Sequence, residues 1–338
     1  MTLYIDPAYK AYYQNRLFDE SDPNLNRDGG LLPYIHLKKH LESQNISVTT
    51  FDQYTSSQTS DIYWSMGVLQ NYEELSKNEN LILDCFFIFE PPLVAPHLYR
   101  ELPRLTKFFK RVYVHNTEGD GYSLGGVDLS KLRKLYWPQP FSEVIEKSWS
   151  QTNRKKAIVM INGLHRPSGF TKTELYSARI QSLVELGNHM PADLYGRGWG
   201  KLFTRNALSW AYLLNYKIIM KNYHGSVISK YETYSQYDFA LCFENLLMRG
   251  YITEKIFDCF YAGVIPIYKG ATDIQDYIPK NCYILFDDFQ SIQELAKFLN
   301  EMPRTEKENY RQHARDFLLS TQGQTYFNSL ILESKPLL

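Results

Sequence analysis

Phe243-Glu244-Asn245 and Tyr251-Ile252-Thr253-Glu254-Lys255 are the densest group of chemically capable residues in this 338-residue chain. The triplet closes an apolar stretch of strand type, Tyr237 to Asn245. The second run opens a stretch of helix type, Tyr251 to Gly263, with Gly263 as its stop signal. Strand end, loop and helix start is where α/β proteins hold ligands. A helix beginning near Thr253 turns free backbone N–H groups and its positive dipole end toward that loop. Lys255 adds a full positive charge in the first turn, where lysine is normally disfavoured, so the position invites an anionic partner. The pattern alone specifies a phosphate-type site and nothing finer. A solvated helix face bearing Glu254 and Lys255 is the other reading that the spacing leaves open.

Weaker signals follow other strand-like stretches. Gly196-Arg197-Gly198 comes after Ala-Asp-Leu-Tyr and reads as a turn or as a close backbone approach to a ligand. The loop Asn162-Gly163-Leu164-His165-Arg166-Pro167 follows a strand and could line a site. Glu90 ends the apolar run Leu81 to Glu90 just before Pro91-Pro92, and a carboxylate there can act as a general base or simply cap a neighbouring helix. Glu118 and Asp120, in Thr-Glu-Gly-Asp-Gly, are rival bases. The chain has no GxGxxG, no GxxxxGK[ST] and no GxSxG, so nicotinamide binding, a P-loop and a nucleophile elbow have no support.

These residues need a scaffold, and the pattern supplies one. Leu31–Leu41 has helical spacing and is followed by the β-branched Ile-Ser-Val-Thr-Thr. Leu81–Glu90, Arg111–Asn116, Lys156–Asn162, Tyr237–Asn245 and Val264–Gly270 read as strands. Lys172–Gly187 and Ser291–Met302 read as helices, the latter with Ser291 as N-cap. Leu202–Tyr234 is less regular. Helices alternating with short apolar strands imply parallel sheets with helices on both faces. The polar stretch Ser142–Lys156 suggests a junction, giving residues 1–150 and 151–325 as two Rossmann-like domains facing one cleft, with 326–338 as a tail.

Composition narrows the classes. Lys plus Arg is 37 and Asp plus Glu is 37, so a general nucleic-acid binder is disfavoured. No apolar run reaches transmembrane length, and the start lacks the pattern of a signal peptide. Cys85, Cys242, Cys259 and Cys282 show no CxxC spacing and read as buried thiols of a reducing cytosol, without a zinc site. The 27 tyrosines suit sugar binding, though compositional bias explains them equally. Arg100, Arg104, Lys107, Lys110 and Arg111, interleaved with Leu102, Leu105, Phe108 and Phe109, suggest either a helix lying on an anionic bilayer or an ordinary packed helix.

Residues 237–299, with FENLLMRGYITEK, a helix, VIPIYKG and DDFQSIQELAKFL, resemble the signature of the α1,3-fucosyltransferases, glycosyltransferase family 10 (GT10). Ser177-Ala178-Arg179 and Asp193-Leu194-Tyr195-Gly196 resemble its upstream segment, and Phe89-Glu90-Pro91-Pro92 its acidic strand end. Where the family has Ser after FEN, this chain has Leu246.

The resemblance implies a GT-B fold, with an N-terminal acceptor domain and a C-terminal domain holding GDP-fucose. It implies inverting transfer of L-fucose to the 3-hydroxyl of a glycan. Arg179 and Lys255 match the family's two cations on the donor diphosphate, and Glu254 its acid on the donor ribose or fucose. Asn245, Tyr251 and Gly196 join the donor site, and Glu90 is the candidate base. With two cations and a helix N-terminus available and no DxD triplet, no obligatory metal is expected. A cytoplasmic enzyme, with peripheral contact at the inner membrane face, fits the absence of an anchor. Another nucleotide sugar as donor, or an inactive glycan-binding or assembly subunit, are the competing readings.

Overall fold

The computed structural model describes residues 1–55, 60–166, 171–201 and 209–337. Pro167, and the part of the irregular stretch from Leu202 to Leu208, lie outside them. The chain forms two units, residues 1–140 with 325–338, and residues 141–324. The division falls ten residues before the junction read from the sequence. The segment set apart as a tail is part of the first unit.

The first unit is a six-stranded sheet of order β2-β1-β3-β4-β5-β6, every neighbouring pair parallel. Its strands are β1 (Thr2–Asp6), β2 (Ser47–Thr50), β3 (Asp61–Ser65), β4 (Leu81–Phe87), β5 (Arg111–Val114) and β6 (Leu132–Lys134). Helix α1 (Leu32–Glu42) crosses from β1 to β2, with a proline in its first turn, where no N–H is missed. Pairing between β3 and β4 shifts register at Tyr63/Trp64, where the partner moves from Leu83 to Cys85, and Asp84 is the extra residue. A bulge inverts the alternation of side chains. Leu81 and Leu83 accordingly pack with one core cluster while Cys85 and Phe87 pack with the other.

Asp84, only 5% exposed, accepts from Trp64 Nε1 (2.9 Å) and Arg111 Nη2 (2.5 Å). Arg111 Nη1 also donates to the Glu333 carbonyl at 2.9 Å, and the Tyr113 hydroxyl bonds the Glu333 carboxylate. This knot ties the C-terminal helix Ser329–Ser334 to β5, while Leu330 enters the core. Arg111 therefore serves the interior. In the rest of the basic stretch the apolar residues turn inward. Leu102, Leu105 and Phe109 are fully buried around helix α2 (Leu102–Phe108), and Arg104 pairs with Glu73.

The second unit is a parallel sheet of order β11-β10-β9-β7-β8. Its strands are β7 (Lys155–Ile161), β8 (Ala192–Tyr195), β9 (Tyr237–Phe243), β10 (Ile265–Lys269) and β11 (Ile284–Leu285). Every residue of β9 is buried, as expected for a central strand covered on both faces. Helices α3 (Tyr176–Leu186), α4 (Trp210–Asn222), α5 (Glu254–Ala262), α6 (Ile292–Glu301) and α7 (Arg304–Leu319) complete the layers. Ser291 caps α6 by accepting from Glu294 N at 3.1 Å. All four cysteines are free and buried.

From β7 the chain steps outward to β8, then returns past β7 to place β9, β10 and β11 on the other side. The carboxyl ends of β7 and β9 thus flank a topological switch point, where such sheets leave a crevice.

Replacing Arg111 by methionine strands the Asp84 carboxylate in the core. A loss of about 3–5 kcal/mol is expected, seen as a fall of several degrees in the thermal midpoint. An unchanged midpoint would mean that the knot holds nothing together.

Candidate functional site

Glu244 follows β9 directly at the switch point, and its side chain is fully buried. Burying a carboxylate demands partners. Its Oε1 accepts from Thr253 N at 2.9 Å, and its Oε2 accepts from Lys255 Nζ at 2.9 Å and from the Thr253 hydroxyl at 2.8 Å. Strand end and helix start are thereby clamped nine residues apart. Gly270 makes the clamp fit, because a Cβ there would lie 2.5 Å from Glu244 Cγ.

Thr253 is the N-cap of α5, yet its side chain bonds Glu244 and caps no N–H of the helix. Lys255 lies over this end, also 3.7 Å from Glu254 Oε1. Burial alone would depress the lysine; Glu244 and Glu254 outweigh it and hold the ammonium above its ordinary range. Glu254 is a third exposed. Burial pushes its carboxyl up, but Lys255 and Lys230 pull it below the usual range, so it stays ionised.

Arg179 comes from α3 and is 3% exposed. Its Nη2 donates to the Glu244 carbonyl (2.7 Å) and to Asn245 Oδ1 (3.2 Å). Asn245 Nδ2 in turn donates to the Tyr251 hydroxyl at 3.2 Å. The segment before α3 is stitched to the same loop by Leu175 N to Asn245 O (3.0 Å) and Leu247 N to Thr173 O (2.7 Å). Leu246, at the position where the resemblance breaks, is buried and pairs with Glu174 through the backbone. Arg179 Nε is buried with no hydrogen-bond partner. Burial pulls the guanidinium below its usual range while the Tyr176 ring, 5.0 Å from its Cζ, and Glu244 oppose that. A buried donor without a partner is normally costly.

Of the residues singled out from the sequence, Arg179, Asn245, Tyr251, Glu254 and Lys255 converge here. Tyr251 is 1% exposed and holds Asn245 through that hydrogen bond. Gly196 makes none of these contacts. It stands after β8 at φ 137°, where a Cβ would fall 1.9 Å from the Asn162 carbonyl. Its N–H donates to Gly225 O and its own carbonyl accepts from the Tyr223 hydroxyl, both at 2.9 Å. Its bareness lets the loop after β7 pass close by. That loop carries His165, which burial and the charges of Arg179 and Lys255 hold below the usual histidine range.

The sequence did not single out Glu244 as the clamp, Thr253 as its bridge or His165 as a neighbour of the cations. Glu244 and Thr253 stood inside the quoted pattern; only their burial reveals what they do. Among the described residues, no group of three or more His, Cys, Asp or Glu side chains is placed to hold a metal ion.

Glu90 lies in the first unit, beyond the end of β4. It lines a cavity of about 470 Å³, and its carbonyl accepts from the Tyr99 hydroxyl at 3.1 Å. Tyr9, Tyr12, Tyr34, Phe89 and Trp137 share that wall. The volume falls in the range of small-ligand pockets. Glu118 and Asp120 are not among the lining residues. Their N–H groups bond Asn116 Oδ1 in a separate turn, at 3.3 and 3.0 Å.

Residues 168–317 match the family model "Glycosyltransferase family 10 (fucosyltransferase) C-term". Over 140 residues, 40% of this chain, the sequence is 34% identical to alpha-(1,3)-fucosyltransferase B of Drosophila melanogaster, 30% of whose length is covered. It is 36% identical over 104 residues to alpha-(1,3)-fucosyltransferase FucT of Helicobacter pylori, covering 30% of this chain and 21% of that one. The chain thus spans less than a third of the length of these curated relatives. Among solved structures, that of an α1,3-fucosyltransferase superposes with a TM-score of 0.54 at 15% identity, over 99% of this chain and 89% of that one. The DNA-modifying enzyme β-glucosyltransferase does so with a TM-score of 0.55 at 12% identity, over 99% of both chains. These likenesses identify the two parallel-sheet domains as a GT-B fold.

Lys255→Met should leave the Glu244 carboxylate buried and unpaired, lowering stability by about 3–5 kcal/mol. The double variant Glu244→Gln/Lys255→Met should recover part of it in thermal unfolding; a double variant no better than the single one would deny the coupling. A bound diphosphate should raise the pKa of His165 by offsetting Arg179 and Lys255. Binding then takes up protons, and affinity falls as pH rises through the bound-state pKa. An NMR titration of His165 with and without GDP reads this directly, and an unmoved resonance would put His165 outside the site.

Proposed function

We propose that this chain is a glycosyltransferase of family 10 that transfers L-fucose from GDP-fucose to a glycan hydroxyl with inversion, by single displacement; the match of residues 168–317 to that family's C-terminal model supports the reading. The observation that carries this reading is the pair of cations, buried Arg179 and part-buried Lys255, at the start of α5, whose N-cap Thr253 makes no side-chain capping bond. Those groups suit a nucleoside diphosphate.

In this reading, Glu90 takes the proton of the acceptor hydroxyl as its oxygen attacks the anomeric carbon of fucose. The bond from that carbon to the β-phosphate oxygen breaks, and its electron pair leaves with GDP. Arg179, Lys255 and the N–H groups of α5 meet the developing charge. Lys255 is already paired with Glu244, so its orientation is fixed before the donor arrives and little reorganisation is needed. Two cations and a helix end supply the neutralisation a divalent ion otherwise gives, which supports turnover without one. Asn245 and Tyr251 hold Arg179 in place, Glu254 takes donor hydroxyls, and Gly196 shapes the loop bearing His165. The acceptor sugar belongs to the aromatic cavity of the first unit, where flat rings can lie against C–H faces of a pyranose. Transfer to a 3-hydroxyl is the linkage we infer, supported by the similarity to alpha-(1,3)-fucosyltransferases.

Thermal unfolding with GDP, UDP, CMP and GDP-fucose, with and without Mg²⁺, tests the donor. At about 100 times its Kd a ligand adds roughly 2.7 kcal/mol. GDP and GDP-fucose should each raise the midpoint by a few degrees without metal. A rise with UDP alone would replace the donor. Glu90→Gln should lower kcat by roughly 10²–10⁴-fold and leave GDP affinity unchanged. Near-full turnover in Glu90→Gln, with loss in Glu118→Gln, would move the base to Glu118.

A further inference from the structure

Helix α4 packs inward through Ala211, Tyr212 and Ile219, which join the core of the second unit. Its outer side is unusual. Trp210 is 73% exposed and Leu214 78%, with Leu213 and Ile218 above 40%. Four of the ten large apolar residues exposed among the described ones thus sit on this single helix. The others, such as Met1, Val94, Leu129 and Leu319, are scattered. Positions 210, 214 and 218 recur every four residues, and 213, 217 and 221 run beside them, so one face carries all six.

Two of those six are Lys217 and Lys221, both exposed. Neither forms an ion pair among the described residues, and the helix contains no acidic residue. The chain as a whole is neutral, so this is a local excess of positive charge on an apolar strip. Solvent would not be expected to hold that combination without a partner.

We propose that α4 is a membrane-docking surface, lying flat on a bilayer that contains anionic lipid. An interfacial helix is recognised by aromatic and aliphatic side chains on the face turned to the bilayer, with lysines at its margins. Trp210, Leu213, Leu214 and Ile218 would enter the acyl boundary. Lys217 and Lys221 would extend their stems along it and bring their ammonium groups to the lipid phosphates. With 13 residues, α4 is too short to span, and no helix among the described residues is long and apolar enough to do so. A protein partner would not require the two unpaired lysines, whereas an anionic lipid surface uses both. Helix α4 packs on α3, which carries Arg179, so a docked chain would hold its donor unit at the membrane. This surface does not depend on which nucleotide the site binds.

The test is co-sedimentation of the full chain with vesicles of phosphatidylcholine alone or with 30% phosphatidylglycerol, at about 0.1 M salt. Binding is expected to the anionic vesicles and to be at least tenfold weaker to the neutral ones. Leu214→Glu/Ile218→Glu should reduce binding by at least tenfold, and Lys217→Glu/Lys221→Glu by a similar factor. All four sites are on the surface, so the thermal midpoint should not change. A chain that stays in the supernatant with anionic vesicles overturns the proposal. So does equal binding by the variants. A dimer in solution that Leu214→Glu/Ile218→Glu dissolves, with no vesicle binding, would make this face a contact between copies instead.

Discussion

The buried Glu244 carboxylate is the constraint on which the second unit's site rests. It has no water to turn to, so it must bind the Thr253 amide and hydroxyl and the Lys255 ammonium. That requirement fixes where α5 starts relative to the end of β9. It also diverts the Thr253 side chain from capping, and the dipole end of the helix is left without that cap. The absent Cβ of Gly270 is what admits the carboxylate. A structural ion pair and a ligand-ready helix end are therefore two consequences of one buried charge.

The far end of α5 is held by the opposite charge. Arg154 Nη2 donates to the Ala262 carbonyl at 2.9 Å, and Arg311 Nε to the Gly263 carbonyl at 2.8 Å. Gly263, at φ 67°, turns the chain in the left-handed region. Arg311 is itself paired with the buried Asp238 at 2.8 Å. Cations at a helix C-terminus complement its dipole. With both ends pinned, α5 is a rigid mount for Lys255. Arg179 reaches the same place from α3 because the 173–175 segment pairs with the 245–247 loop.

The first unit depends on a different irregularity. The bulge at Asp84 inverts the faces of β4, bringing a carboxylate into the interior where Arg111 and Trp64 satisfy it. The same arginine holds Glu333, so the last helix closes the unit that the first strand began. Glu90 follows this strand, which explains why a residue so near a structural knot can line a cavity at the carboxyl edge of the sheet.

Much of this was legible in the residues. The alternation of apolar strands and helices gave two parallel-sheet units, and FEN with YITEK marked the site, because local spacing and backbone preferences are properties of the chain itself. The helix of Trp210–Asn222 was read as irregular because its outward face is as apolar as its inward one, and periodicity detects only contrast. The basic stretch around Arg104 looked amphipathic, but amphipathicity does not say whether the apolar side meets lipid or a sheet. Sequence alone determined which side chains could carry charge, and that Glu254 and Lys255 stand in the first turn of a helix that follows a strand end. Tertiary structure decided which charges are buried, and therefore which must be paired. Lys255 is bound by Glu244, Arg179 keeps a buried Nε without a partner, and residues 325–338 return to the first unit, because desolvation depends on what surrounds a residue rather than on its neighbours in the chain.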